Sequence, residues 1–261
     1  MSQRRNQNRR RRRRGGLSRL LRPLSLLLAA VAVVAALTLF FKVEEIQVVG
    51  ASRYQAEDII AAAGVEPGDN LILLNRYRIA QRIYTSLPYI TDVSPKQKFP
   101  DTLVIEVTET RPVAAIEGAG GWWLVNSGGK VLEMVDMAAA ADYLTVSGVQ
   151  AEEPSVSGRL KLPEESPMTA QRLCELLEAM EARSMLARAD SVDLSDPQTL
   201  ILNYDGRFRV ELSYDTNLSF KMDGLLGVVE YLEPNETGTI RMTMSDDNQV
   251  NYIPRKSSDG D

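Results

Sequence analysis

An uncharged apolar run near the amino end restricts this chain more than any other feature. Residues 24–41 read LSLLLAAVAVVAALTLFF, with Ser25 and Thr38 as the mild polar breaks. As a helix, these 18 residues reach roughly 27 Å at a rise of ~1.5 Å each, close to the ~30 Å hydrocarbon core of a bilayer. A water-soluble helix of that length keeps a polar face, and this run has none. A cleaved signal peptide has a shorter apolar stretch and ends in small residues. Its cleavage site would fall after Ala36, whereas the run goes on to Leu39, Phe40 and Phe41. A retained transmembrane helix at 23–41 is the expectation.

Charge orients it. Residues 1–22 hold ten Arg and no acid, leaving 20 of the 30 bases against all 35 acids in the rest of the chain. The positive-inside rule then places the 1–22 tail in the cytoplasm and 42–261 outside it, a single-pass cell-membrane topology. The Arg run also suits nucleic acid. Its place beside the span makes it a disordered topology signal next to anionic headgroups instead.

Composition narrows the chemistry. The chain has no His and one Cys, Cys174. That excludes a His general base, a Ser-His-Asp triad, a His metal site, an internal disulfide and a Cys zinc cluster. Neither a P-loop nor a strand–GxGxxG–helix pattern occurs. No enzyme activity, cofactor or small-molecule substrate is expected. Cys174 falls among Leu173, Leu176 and Leu177 on an amphipathic helix, where a buried structural thiol is the default.

Beyond the span, an α+β pattern emerges. Residues 43–49 alternate as a short strand ended by Gly50. Ser52 and Gln55 fit a capping box ahead of a helix stopped at Gly64. Residues 75–86 form a second helix, with Ile79 and Ile83 facing inward and Pro88 ending it. Strands at 89–98 and 102–109 follow, joined by a tight turn at 99–101. In the second strand Leu103, Ile105 and Val107 share one face. The order β-α-α-β-β implies a three-stranded sheet with two helices on one face.

Further on, 113–117, 122–126 and 131–134 read as strands between Gly-rich turns. Residues 137–141 are ambiguous, 143–146 make a short strand ending at Gly148, and 152–167 reads as a mobile surface loop. A helix is expected at 168–187. Strands are expected at 191–194, 199–203 and 208–213, with a hairpin turn at Asp205 and Gly206. A last helix spans 218–232. Of the adjacent Trp122 and Trp123, one points outward if the strand is regular, toward a contact surface or a neighbouring loop. At the end, Ile240, Met242 and Met244 alternate with Arg241 and Thr243. This strand comes last, so it reads as an edge able to accept another strand.

Several strings carry a resemblance. LPYI at 87–90, FPDTLVIEV at 99–107, ETRPVA at 109–114, WWLVN at 122–126 and GKVL at 129–132 follow the β-α-α-β-β unit in order. DTNLSFKM at 215–222 and GTIRMTM at 238–244, then Val250, Tyr252 and Pro254, continue it. Together they resemble the FtsQ/DivIB cell-division family. The resemblance implies a cytoplasmic tail at 1–22, a transmembrane helix at 23–41 and a POTRA domain at 42–111. A mainly β domain with helices follows at 112–254, then a disordered tail at 255–261. It implies a bitopic scaffold at the division septum that links early and late division proteins. Its partners would be FtsB/DivIC-like and FtsL-like proteins and the septal penicillin-binding protein complex. The partner-binding residues it implies are Thr239, Ile240, Arg241, Met242, Thr243 and Tyr252. The family commonly has Asp where Arg241 stands and Arg where Thr243 stands, so this chain departs from that pattern. The alternative reading is an envelope assembly or translocation factor with a POTRA domain, which needs a C-terminal barrel.

Overall fold

The computed structural model describes residues 17–214, 217–243 and 250–255. The Arg run up to position 14, residues 244–249 and the tail from 256 lie outside the described residues.

Helix α1, Leu17–Phe40, has 24 residues and carries Pro23. Its side chains are described over 23–37 and at 40, and every one of them is exposed. Among the described residues no helix is long and apolar enough to cross a membrane. The helical backbone nonetheless takes in 17 of the 18 positions of the uncharged run, all but Phe41.

The first sheet has β1 (Glu45–Val49), β2 (Ile90–Lys98) and β3 (Thr102–Glu109) in the order β1-β3-β2. β1 runs parallel to β3 and β2 antiparallel to it. Helices α2 (Ala56–Ala63) and α3 (Arg76–Ser86) connect β1 to β2, giving the expected β-α-α-β-β order. Alternation explains the packing. Leu103, Ile105 and Val107 face Ile59, Ala63, Ile79 and Ile83 from the helices in one apolar cluster. On the opposite face Lys96 pairs with Glu106 across β2 and β3.

The helix start differs from the expectation. Gln55, not Ser52, is the N-cap of α2, and its N–H donates to Asp58 at 3.3 Å. Ser52 is held elsewhere: its hydroxyl donates to Glu109, which also accepts from the Arg53 N–H at 2.9 Å. A partner 57 positions away overrides the local pattern.

The second sheet has nine strands in the order β12-β11-β10-β9-β8-β7-β4-β5-β6. They are β4 (Ala114–Gly118), β5 (Gly121–Val125), β6 (Val131–Val135), β7 (Leu144–Ala151), β8 (Ala189–Asp193), β9 (Thr199–Tyr204), β10 (Phe208–Ser213), β11 (Gly238–Met242) and β12 (Asn251–Pro254). Helices α5 (Ala170–Ala182) and α6 (Leu218–Tyr231) share one core with Val146, Val192, Leu202, Val210 and Ile240. They therefore cover one face. Arg183 ties the two helices through both carboxylate oxygens of Asp223, at 2.6 and 2.8 Å.

Two local expectations need correction, and two further segments gain detail. The short strand expected to end at Gly148 continues to Ala151. Gly148 sits at φ +83°, and a Cβ there would meet the Ser195 nitrogen at 2.2 Å. The glycine admits a neighbouring backbone and does not end the strand. The helix expected to reach 187 stops at Ala182, and Ser184 takes a left-handed φ of 56°. The ambiguous 137–141 stretch forms the short helix α4, Met137–Ala140, with Asp136 as N-cap. The 152–167 segment is stitched down: Val131 N donates to Gly158 O at 2.9 Å and Leu160 N to Gly129 O at 2.7 Å.

Both tryptophans have packing partners. Trp123 lies against the main core and donates to Ala119 O at 3.0 Å. Trp122 lies against Ala115, Leu124 and Ala140 on the other face.

Candidate partner-binding edge

An open sheet ends in two strands with unpaired backbone on their outer sides, and each must be covered or left as a template. At β6 the 157–160 segment covers the start of the strand. Val131 bonds with both Ser157 and Gly158, and Lys130 bridges to Arg159. At β12 no described strand pairs on the outer side.

β11 is inside the sheet, which corrects the expectation that it forms the edge. It pairs with β10 in parallel, Phe208 opposite Gly238 through Leu212 opposite Met242. On its other side it pairs antiparallel with β12, Gly238 opposite Pro254 through Arg241 opposite Asn251. The physical reason is connectivity. A parallel partner needs a crossover, here through α6, and the short return after β11 then lands on the remaining free side.

The expected contact residues separate accordingly. Ile240 and Met242 point into the core, fully buried. Each contributes about 2 kcal/mol through apolar burial. Arg241 is exposed and donates to Glu211 on β10 at 2.8 Å, so its charge is answered within the chain. Thr239 is half-buried on β11, and Thr243 lies just beyond its end. Of the six, Tyr252 alone stands on the edge strand. Its ring meets Phe208 edge-on at 6.3 Å and its hydroxyl donates to Thr237 O at 3.1 Å. Burial pushes the phenol up, assisted by Glu236.

Register tells which backbone groups are free. Arg255 N donates inward to Thr237 O at 2.8 Å. Antiparallel pairs alternate, so the N–H groups of Ile253 and Asn251 also point to β11. The N–H and C=O of Tyr252 then point outward. Pro254 has no N–H to offer, which ends the donor row.

Two residues that the sequence reading passed over hold this edge. Gly238 is one: a Cβ there would sit 2.3 Å from Ile253 O, so any other residue pushes β12 away. Arg207 is the other. Its guanidinium donates to Asp205 and to Glu233 O and Pro234 O at 3.0 and 2.9 Å, pinning the connection between α6 and β11. Asp205 sits in the hairpin turn between Arg188 and Arg207, and their hydrogen bonds, Arg188 first, hold its carboxyl down at about 2 despite some burial. A shallow cavity of about 490 Å³ beside β12 is lined by Arg207, Arg209, Thr239 and Arg255. No cluster of three metal-ligating side chains exists among the described residues. Cys174 packs beside Gly129, half-buried, with its thiol pushed up by burial. The arrangement supports recognition through main-chain pairing.

Residues 41–110 match the POTRA domain, FtsQ-type, family. The chain is 29% identical over 214 residues to the cell division protein FtsQ of Syntrophotalea carbinolica, covering 77% of this chain and 73% of that one. It is 31% identical over 104 residues to the FtsQ of Corynebacterium glutamicum, covering 40% and 46%. To the cell division protein DivIB of Clostridium acetobutylicum it is 28% identical over 130 residues, covering 47% and 52%. The POTRA match and these relatives together support the FtsQ/DivIB family. The match to the first relative spans most of both proteins, and the other two are matched over about half their length. The residues matched by the POTRA domain, FtsQ-type, family hold the β1–β3 sheet with α2 and α3, called the POTRA unit below.

Proposed function

We propose that this chain is a non-catalytic, single-pass membrane scaffold of the bacterial division complex. In this reading α1 anchors it with the tail at 1–22 in the cytoplasm. The POTRA unit at 42–111 stands next to the membrane, and the β domain at 112–254 carries partner binding. The names of the relatives support a role in division. A 24-residue helix that exposes Leu26, Leu27, Leu28, Val31 and Val33 suits lipid, because water offers nothing to such a surface.

The observation that carries the partner site is the asymmetry of the nine-stranded sheet: β6 is bonded on its outer side at its first residue, Val131, while no described strand pairs with the outer side of β12. β12 would accept a strand from the extracytoplasmic part of an FtsB/DivIC-like protein, which brings an FtsL-like protein with it. Main-chain bonds supply affinity there, and Tyr252 and the exposed Ile253 supply side-chain contact. Confinement to one membrane raises the effective concentration, so the contact can be modest and still hold the septal synthase complex.

The test uses two variants at one position. Tyr252→Ala removes the ring and keeps the outward N–H. Tyr252→Pro removes both, and leaves untouched the inward bonds of Ile253 and Asn251. Measured on the full chain with the purified partner, the proline variant should bind far more weakly than the alanine variant. Equal binding by the two would rule out strand addition at this edge. The described residues from 112 onward form an open sheet with two distinct ends, which does not favour the assembly-factor alternative and its barrel.

A further inference from the structure

We propose that the base of the POTRA unit docks on the bilayer surface, with Ile72, Leu73 and Phe99 inserted at the headgroup boundary beside the end of α1. This rests on the reading of α1 as a membrane anchor.

Three separate segments meet at this base. The end of α1 brings Phe40 and Phe41, the loop before α3 brings Ile72 and Leu73, and the β2–β3 turn brings Phe99. Leu73 is 75% exposed, Phe40 69%, Phe99 56% and Ile72 44%. Large apolar side chains gathered on one tip and left to solvent mark a docking surface.

They are fixed in place. Leu71 N donates to Phe41 O at 2.8 Å, and Val43 N to Asp69 O at 2.8 Å. The Phe41 and Phe99 rings meet edge-on at 5.5 Å. Asn70 accepts from the N–H groups of Ile72 and Leu73 through its side-chain oxygen, at 3.0 and 3.2 Å. Its side-chain nitrogen donates to Leu37 O at 3.3 Å. The residue that shapes the loop thus grips α1 about one turn before its end. Ile72 and Leu73 are held at the depth of that last turn, inside the uncharged run 23–41.

This depth selects the occupant. A surface level with the last turn of a membrane anchor faces lipid before it faces any soluble partner. The residues next to it carry both signs, Lys42 and Lys98 with Glu44, Asp69 and Asp101, so no strong positive patch faces the lipid. Docking therefore works through apolar insertion and needs no anionic lipid.

The test uses the full chain with Cys174→Ser, reconstituted in phosphatidylcholine vesicles and labelled with a fluorophore at one introduced cysteine. The positions are Leu73→Cys and Phe99→Cys, with Leu27→Cys inside α1 and Tyr231→Cys on the distal unit as controls. Lipids with a shallow quencher should quench the labels at 73 and 99 several-fold more than the label at 231. Leu73→Asp should reduce quenching at 99 and leave the melting temperature unchanged. Labels at 73 and 99 that behave like 231, while 27 is quenched by a deep probe, overturn the docking and spare the anchor. Shielding of 73 and 99 from an aqueous quencher without lipid quenching means a second copy covers the tips, and also overturns it. Failure at 27 overturns both.

Discussion

Replacing Lys130 with Met should loosen the joint between the two sheets and leave each core intact. Lys130 immediately precedes β6 and is 3% exposed. Its ammonium crosses to the POTRA unit, where it donates to Tyr84 O at 2.9 Å and Ile90 O at 2.6 Å. It also lies 3.6 Å from the centre of the Tyr84 ring. Tyr84 is in the last turn of α3, so the charge meets the negative end of that helix. Around it Tyr89 donates to Glu133 at 2.5 Å, and Asn126 donates to Thr110 at 3.2 Å. Burial lowers the Lys130 pKa from 10.5 to about 8. The lost hydration corresponds to about 3 kcal/mol at 1.36 kcal/mol per pKa unit, an upper bound because the carbonyls and the ring favour the charged form. Against it stand two charge-assisted hydrogen bonds of about 1.5–3 kcal/mol each and a ring contact of about 1–2 kcal/mol. The balance favours wild type by about 2 kcal/mol, or roughly 4–8 °C in Tm for a chain of this size.

The pH dependence gives a second reading of the same variant. The folded pKa lies below the unfolded one, so the folded state gives up its proton first as pH rises. Below pH 8 both states are protonated and the group adds no slope. From about 8 to 10.5 the unfolded chain holds more protons, and stability rises with pH. Wild type should gain up to about 2 kcal/mol over Lys130→Met between pH 7 and 9.5. Urea unfolding of the full chain in detergent, followed by Trp122 and Trp123 fluorescence, measures both. Identical midpoints and identical pH profiles for the two proteins would refute the joint.

Three further outcomes follow from named contacts. Burial pushes the Glu109 carboxyl up, but the bonds from Ser52, Arg53 and Tyr54 outweigh it and hold it below the ordinary range. Glu109→Gln should cost about 1 kcal/mol at neutral pH, and the difference should fade as acid protonates the wild-type group, read by urea midpoints at pH 7 and 3. Asp205 is held at about 2 against an ordinary 3.8, so its stabilisation is present above pH 4 and lost as pH falls through 2. Asp205→Asn should lower stability by about 1–2 kcal/mol at pH 6, after discount for its partial exposure, and by nothing near pH 1.5. Gly238→Ala should displace β12 and abolish partner binding while α5 and α6 keep their packing, seen as lost pull-down with unchanged far-ultraviolet dichroism.

What the sequence made legible and what it hid divide along one physical line. Features decided by neighbours in the chain were readable: the alternation of Leu103, Ile105 and Val107, the helix up to Ser86, the stop at Gly64, the turn at Asp205 and Gly206. Features decided by distant partners were not. Ser52 looks like a cap because Gln55 follows it, yet Glu109 claims its hydroxyl. The polar 152–167 segment looks detached because its pairing with Val131 leaves no local mark. Lys130 looks like any surface lysine until Tyr84 and Ile90 close over it. The candidate site shows the same division at its sharpest. The alternation of Ile240 and Met242 identifies a strand, and being late in the chain makes it look like an edge. Strand order in space follows from connection type, which alternation does not encode. The α6 crossover makes β11 parallel to β10 and leaves its far side open for one short return strand. β12 takes that place, so the row of free backbone groups passes from Thr239–Thr243 to Tyr252 and its neighbours. A partner strand that pairs here meets an edge closed by Pro254 at one end, and a register set by Gly238, the one position whose missing side chain lets β12 lie flat.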